Sequence, residues 1–212
     1  MDQSNSAPRQ PPGGGFEKPP VAGSRWFALT DAVNDFLDGF GGNVGQNNNA
    51  EIGLVTFGGG VITFQNVVSP LDHDWARMEI EMDTITKQKS KISGLMEEYK
   101  NFPLGLGTSI YDGIDISTNM LQASSAPANQ YIVLLSDGAP WTPGGRPGEL
   151  VAAERAAELG IAIYTIAYGT EVRNLERIAD ITGGQYFTPN NQSELKNAFN
   201  SIASTIGVKL TH

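Results

Sequence analysis

Tyr131 to Gly138, YIVLLSDG, restricts the fold of this chain more than any other stretch. Tyr131, Ile132, Val133, Leu134 and Leu135 follow one another without polar alternation, the pattern of a strand covered on both faces inside a parallel sheet. Ser136, Asp137 and Gly138 then fall at the carboxyl end of that strand. Open α/β sheets bind their ligands in the crevice outside those ends, which makes Asp137 the first candidate functional residue.

The chain around it alternates. Residues 1 to 24 hold five prolines and the run Gly13 to Gly15, and residues 7–23 read as a Pro/Gly-rich insertion loop. From Ser24, Trp26, Phe27, Leu29, Ala32, Val33, Phe36, Leu37 and Phe40 recur at helical spacing, with Ser24 as N-cap and Gly39, Gly41 and Gly42 as the expected stop. Ile52 to Phe57 and Val61 to Val67, joined by Gly58 to Gly60, predict a hairpin whose second strand lies at the sheet edge. Residues 72–101 are charged, and Ile85, Ile92, Leu95, Met96 and Tyr99 predict one or two surface helices, a helical insertion. A helix follows Gly105 to Ser109 (GLGTS). Beyond YIVLLSDG come a helix at Leu150 to Leu159, a strand at Ile161 to Tyr168, a helix at Val172 to Ile181, a short strand at Gln185 to Thr188 and a last helix at Ser193 to Ile206. This order predicts one domain over 1–212: α/β, a doubly wound, mostly parallel, Rossmann-like sheet with one antiparallel edge strand.

Composition narrows the partners. With 212 residues, 40% of them hydrophobic, the chain can bury a sizeable core. A net charge of −9 without any Lys/Arg cluster argues against a nucleic-acid partner. The absence of cysteine excludes disulfides and thiolate chemistry and leaves the compartment open. No apolar run approaches the roughly 20 residues of a membrane span, and the first 25 residues carry no apolar signal-peptide core.

Two further stretches carry candidate site residues. Asp2, Ser4 and Ser6 stand at every second position, which in an extended segment puts all three on one side. Thr108 lies in GLGTS before a helix. Each stretch has an ordinary alternative: a turn for the first, a helix start capped by Thr108 for the second, and an N-cap role for Asp137.

Taken together, D-x-S-x-S, a Thr in a Gly-rich loop before a helix, and a buried strand ending in S-D-G resemble the von Willebrand factor A domain with its metal-ion-dependent adhesion site. The resemblance runs over nearly the whole chain, through the Trp26–Phe27 helix, IGLVTF, TSIYDG and IAIYTIAYG. It implies a divalent ion, Mg²⁺ or else Mn²⁺ or Ca²⁺, with Ser4, Ser6 and Thr108 as direct ligands and Asp2 and Asp137 bound directly or through water. Hydroxyls with few carboxylates suit Mg²⁺, a hard ion that takes six oxygens at about 2.0–2.1 Å. The implied function is adhesion or protein–protein interaction without catalysis, a partner Glu or Asp completing the metal. Export to the surface or periplasm is suggested by the family alone.

One departure concerns the core. The family has an apolar central strand directly before D-x-S-x-S, and here only Met1 precedes Asp2. The expectation is a truncated central strand, from a fragment or an internal start, with Val208 to Leu210 or a partner chain as other ways to fill the slot. Two rivals to the adhesion reading are a Rossmann-like Mg-dependent enzyme acting on a phosphorylated or nucleotide substrate, and a degenerate scaffold that binds no metal. GLGTS lacks the lysine of a phosphate-binding P-loop, which weighs against the former. His73 and His212 are isolated, Trp141 is a binding or packing aromatic, Asn191-Gln192-Ser193 matches a glycosylation pattern by chance, and the acids of 72–83 read as a solvated face.

Overall fold

The computed structural model describes residues 22–43, 50–58, 63–64, 67–68, 76–101, 108–124, 129–138, 148–169 and 171–210. In chain order these form α1 (Arg25–Asn43), β1 (Glu51–Phe57), β2 (Thr63–Phe64), β3 (Val67–Val68), β4 (Ala76–Thr84) and α2 (Ile85–Glu98) with a 3₁₀ turn (Tyr99–Asn101). Next come α3 (Ile110–Ala123), β5 (Tyr131–Ser136), α4 (Glu149–Glu158), β6 (Ala162–Ala167), α5 (Arg173–Thr182), β7 (Tyr186–Phe187) and α6 (Gln192–Leu210).

The YIVLLS strand, β5, lies parallel to β6 without a slip from Tyr131 opposite Ala162 to Ser136 opposite Ala167, and β6 lies parallel to β7. Alternate residues of β5 and β6 enter different cores. Leu135, Tyr164 and Ile166 pack with Trp26 of α1, Ile92 of α2 and Ile202 of α6. Ile132, Leu134 and Ile163 pack with Ile110 of α3, Ala153 of α4 and Ile178 of α5. The result is a three-layer α/β/α domain, the doubly wound class.

Several local expectations change. The antiparallel partner of β1 is β4, while β2 and β3 pair with each other. Met78, Ile80 and Met82 alternate with Arg77, Glu79, Glu81 and Asp83, the period of a strand, so the helical reading of 72–101 holds only from Ile85. Nor is this stretch a uniformly solvated face. Glu79 has a side chain 3% exposed, accepts a hydrogen bond from Thr56 Oγ1 at 2.7 Å and faces Arg77 Nε at 3.5 Å. Helix α1 runs through Gly39, Gly41 and Gly42 to Asn43. The face of α1 that packs on α6, with Phe36 edge-on to Phe199 at 5.6 Å, outweighs the roughly 1 kcal/mol that each helical glycine costs. Ser24 accepts from Ala28 N through its carbonyl, but its buried hydroxyl makes no hydrogen bond among the described residues.

At the other end of the chain, Asn191 starts α6. Its Oδ1 accepts from Glu194 N at 3.0 Å while Glu194 Oε1 accepts from Asn191 Nδ2 at 2.7 Å, a reciprocal cap that explains the Asn-Gln-Ser pattern. Val208 to Leu210 continue α6 as helix and supply no strand.

Among the described residues the sheet is interrupted in its middle. Among the described strands none links β1 to β5, and between them opens a cleft of about 250 Å³. Ile52 and Leu54 of β1, Ile132 and Val133 of β5, Leu37 of α1 and Leu121 of α3 are among the residues that line it. This is the truncated centre expected from the sequence.

Two predictions follow from the packing. A Cβ on Gly184 would lie 2.0 Å from the backbone oxygen of Ile163, so Gly184→Ala forces β6 and the start of β7 apart. Urea denaturation is expected to show a loss at or above the upper end of the about 1–3 kcal/mol range for overpacking. Separately, burial, reinforced by Glu79, raises the Tyr99 phenol above its ordinary 10.0. The folded state favours the protonated form, so this contribution is complete below that value and declines as pH rises past it. Melting temperature is expected to fall above about pH 10, less steeply in Tyr99→Phe.

Candidate metal centre

The carboxyl end of β5 is where several chain segments meet. Gln130, just before β5, donates from Nε2 to Leu121 O at 2.7 Å near the end of α3, so α3 runs antiparallel to β5. The 14 residues of α3 span about 21 Å and the 6 of β5 about 20 Å, which brings the start of α3 and the end of β5 to the same edge of the sheet. Thr108 and Asp137 therefore stand at one end of the domain, and both are 4% exposed.

Local hydrogen bonds shape each of them. Ser109, not Thr108, is the N-cap of α3, and its hydroxyl donates to the Asp112 carboxylate rather than capping the helix backbone. Thr108 lies just outside the helix, with its carbonyl accepting from Ile110 N at 3.0 Å. After β5, Ser136 Oγ donates to Gly138 O at 3.0 Å and accepts from Gly138 N at 3.3 Å, closing a bend with Asp137 inside it. Tyr168 N donates to Ser136 O at 2.9 Å, which carries the β5–β6 ladder to the edge of the site.

Arg25, the first residue of α1, also reaches this edge. Its Nη1 lies 3.4 Å from Asp137 Oδ2 and donates to Asp137 O at 3.3 Å. The arginine side chain is 34% exposed and the aspartate side chain 2%. Gly169, with φ of +71°, leaves room for it, since a Cβ there would lie 3.0 Å from Arg25 Nη2. Burial raises the neighbouring Tyr168 phenol and the Arg25 charge partly opposes that.

At this edge Thr108 offers a hydroxyl and Asp137 a carboxylate, both hard oxygens, and Arg25 stands against the carboxylate. Hard oxygens are the donor type that oxygen-seeking divalent ions take. Among the described residues there is no cluster of three or more His, Cys, Asp or Glu that would form a different cage. Asp2, Ser4, Ser6, Gly105, Gly107, Trp141, His73 and His212 lie outside the described residues. Arg25 and Gly169 were not singled out from the sequence. An arginine at the start of a helix opposes the helix dipole, and that anomaly was the available signal.

Helical layers on both faces of an open sheet place the chain in the doubly wound α/β class. Residues 20–201 match the model of the von Willebrand factor type A domain, and the chain belongs to that family. A UPF0353 protein of Mycolicibacterium paratuberculosis is 29% identical over 124 residues, 49% of this chain and 38% of that protein. The chain thus spans well under half of that relative's length. Among solved structures, the pilus adhesin SpaC of Lactobacillus rhamnosus GG has a TM-score of 0.67 at 16% identity, covering 97% of this chain and 30% of that one. Proximal thread matrix protein 1 of the mussel byssus, described with a zinc-occupied MIDAS motif, has a TM-score of 0.61 at 16% identity over 95% of this chain and 44% of that one. These likenesses show the fold.

Because the Ser136 hydroxyl is fully buried and holds the bend that carries Asp137, its loss has a defined effect. Ser136→Ala is expected to lower stability by about 1 kcal/mol with an unchanged denaturant slope, measured by urea titration.

Proposed function

We propose that this chain is a divalent-metal-dependent protein-binding domain, with Asp2, Ser4, Ser6, Thr108 and Asp137 as the metal ligands. The observation that carries the reading is the burial of Thr108 and Asp137, two hard-oxygen side chains, at one end of the sheet. The zinc-occupied MIDAS motif of the mussel thread protein and the pilus-adhesin nature of SpaC support it by analogy of fold.

In this reading the chain's residues provide shape and charge. Thr108 contributes a neutral oxygen from a position fixed by the first turn of α3, and Asp137 contributes the negative charge from a bend locked by Ser136. The ion, when bound, would supply an electrophilic position that a Glu or Asp of the partner completes. Mostly neutral ligands leave that position short of negative charge, which favours a partner's carboxylate. The proposed set contains no imidazole, thiol or amine to activate a hydroxyl, so we read it as a binding site and not a site of turnover. Mg²⁺ is the proposed ion, with Mn²⁺ and Ca²⁺ to be compared.

The test is a thermal melt in excess chelator and in millimolar Mg²⁺ or Mn²⁺. Metal at 100 times its dissociation constant is expected to add about 2.7 kcal/mol, a shift of a few degrees. Asp137→Ala and Thr108→Ala are expected to lose that shift. A cooperative melt indifferent to metal in the parent protein would overturn the reading in favour of a scaffold. Saturable Mg²⁺-dependent nucleotide binding would move it to the phosphate-handling alternative.

A further inference from the structure

Arg25 occupies a place that its own helix does not favour. It is the first residue of α1, where the helix dipole presents positive charge, and the first turn of α1 contains no acidic residue to offset it. What holds it is Asp137, through the carboxylate at 3.4 Å and the carbonyl at 3.3 Å. Both contacts are longer than the roughly 2.7–2.9 Å of a tight charge-assisted hydrogen bond. Gly169 gives the guanidinium its berth: φ of +71° and the lack of a Cβ keep the backbone of that residue clear of Arg25. Asp137, with its side chain 2% exposed, thus has a countercharge inside the protein, and that charge comes from a side chain one-third exposed to solvent.

Resting on the metal reading above, we propose that Arg25 is a built-in competitor for the metal: its guanidinium neutralises Asp137 in the metal-free protein and leaves the carboxylate when the ion arrives. At equal distance a divalent ion attracts a carboxylate twice as strongly as a guanidinium does. It also repels the guanidinium. The exposed flank of Arg25 and the length of its contacts give the side chain a way out toward solvent. Arg25 therefore serves two ends: it keeps a buried carboxylate compensated before metal binds, and it sets how much metal is needed. It is a positioning residue that acts through Asp137, and it is not itself a ligand.

The two roles move in opposite directions when the charge is removed, and a merely structural pin between α1 and β5 would not do this. The experiment uses the full chain, stripped with chelator, then titrated with Mg²⁺ alone by calorimetry and followed by thermal melts. Arg25→Met is expected to melt lower without metal and to bind Mg²⁺ about tenfold more tightly, which corresponds to about 1.4 kcal/mol. Arg25→Lys, which keeps the charge, is expected to stay within about threefold of the parent protein. Should the parent fail to bind while Arg25→Met binds, the competitor role is upheld in its strongest form. If the parent binds Mg²⁺ and Arg25→Met binds it equally or more weakly, the competitor role is overturned while the metal reading stands. If neither protein binds any ion, the metal reading fails and this inference fails with it.

Discussion

The unbroken parallel register between β5 and β6 is the constraint on which the candidate centre depends. Because Ser136 pairs opposite Ala167, the two strands end level with each other. Level ends put the Ser136–Gly138 bend beside Tyr168 and Gly169, and the one further backbone bond, Tyr168 N to Ser136 O, closes the ladder there. A one-residue slip would move Asp137 away from the Gly169 berth and exchange the core faces of Ile132 and Leu135. Two cores oppose that slip, since alternate residues of both strands are committed to opposite helical layers. The site is thus held by apolar burial in two cores, one of which reaches it through Tyr168.

The interrupted sheet has a different basis for its coherence. β1 and β5 are not neighbours in a ladder, yet Leu54 and Leu135 belong to one core and Phe57 and Ile132 to the other. Helices α1 and α6 on one side and α3 on the other bridge the cleft between the half-sheets. Gly113 shows how closely α3 approaches, since a Cβ there would lie 2.8 Å from the Phe57 ring. The helical layers therefore do the joining that backbone pairing does elsewhere in a doubly wound sheet.

Much of this was legible in the sequence, for identifiable reasons. β5 and β6 are continuous apolar runs whose only stable setting is between two helical layers, and α4 and α5 are closed by glycines, Gly160 and Gly183, with φ of +75° and +70°. The positions of Thr108 and Asp137 follow from the elements they adjoin, α3 and β5, while their role as metal ligands is a proposal. β4 was not, because its alternation is written in Met and Glu, and a charged stretch is easily taken for solvated helix. Asp2, Ser4 and Ser6 rest on their sequence pattern alone. Arg25 escaped notice for a physical reason: its importance lies in a contact with a residue 112 positions away, which no local period encodes.

Charge balance at the site explains why such a contact would be kept. The chain carries −9 overall, yet its described end of β5 offers one nearly buried carboxylate and one guanidinium, a locally neutral pair. A buried carboxylate without a countercharge is expensive, and removing one partner of a buried pair costs more than the pair contributes. On the proposed reading, a site that is empty part of the time needs its own cation. A lysine could supply the charge, but the planar fork of arginine lets one Nη reach both the carboxylate and the carbonyl of Asp137 while the rest of the group lies against Gly169. On the proposed reading, the same geometry that makes the metal-free state tolerable would limit how tightly a metal is held, and the two properties could not be tuned apart while Arg25 remains.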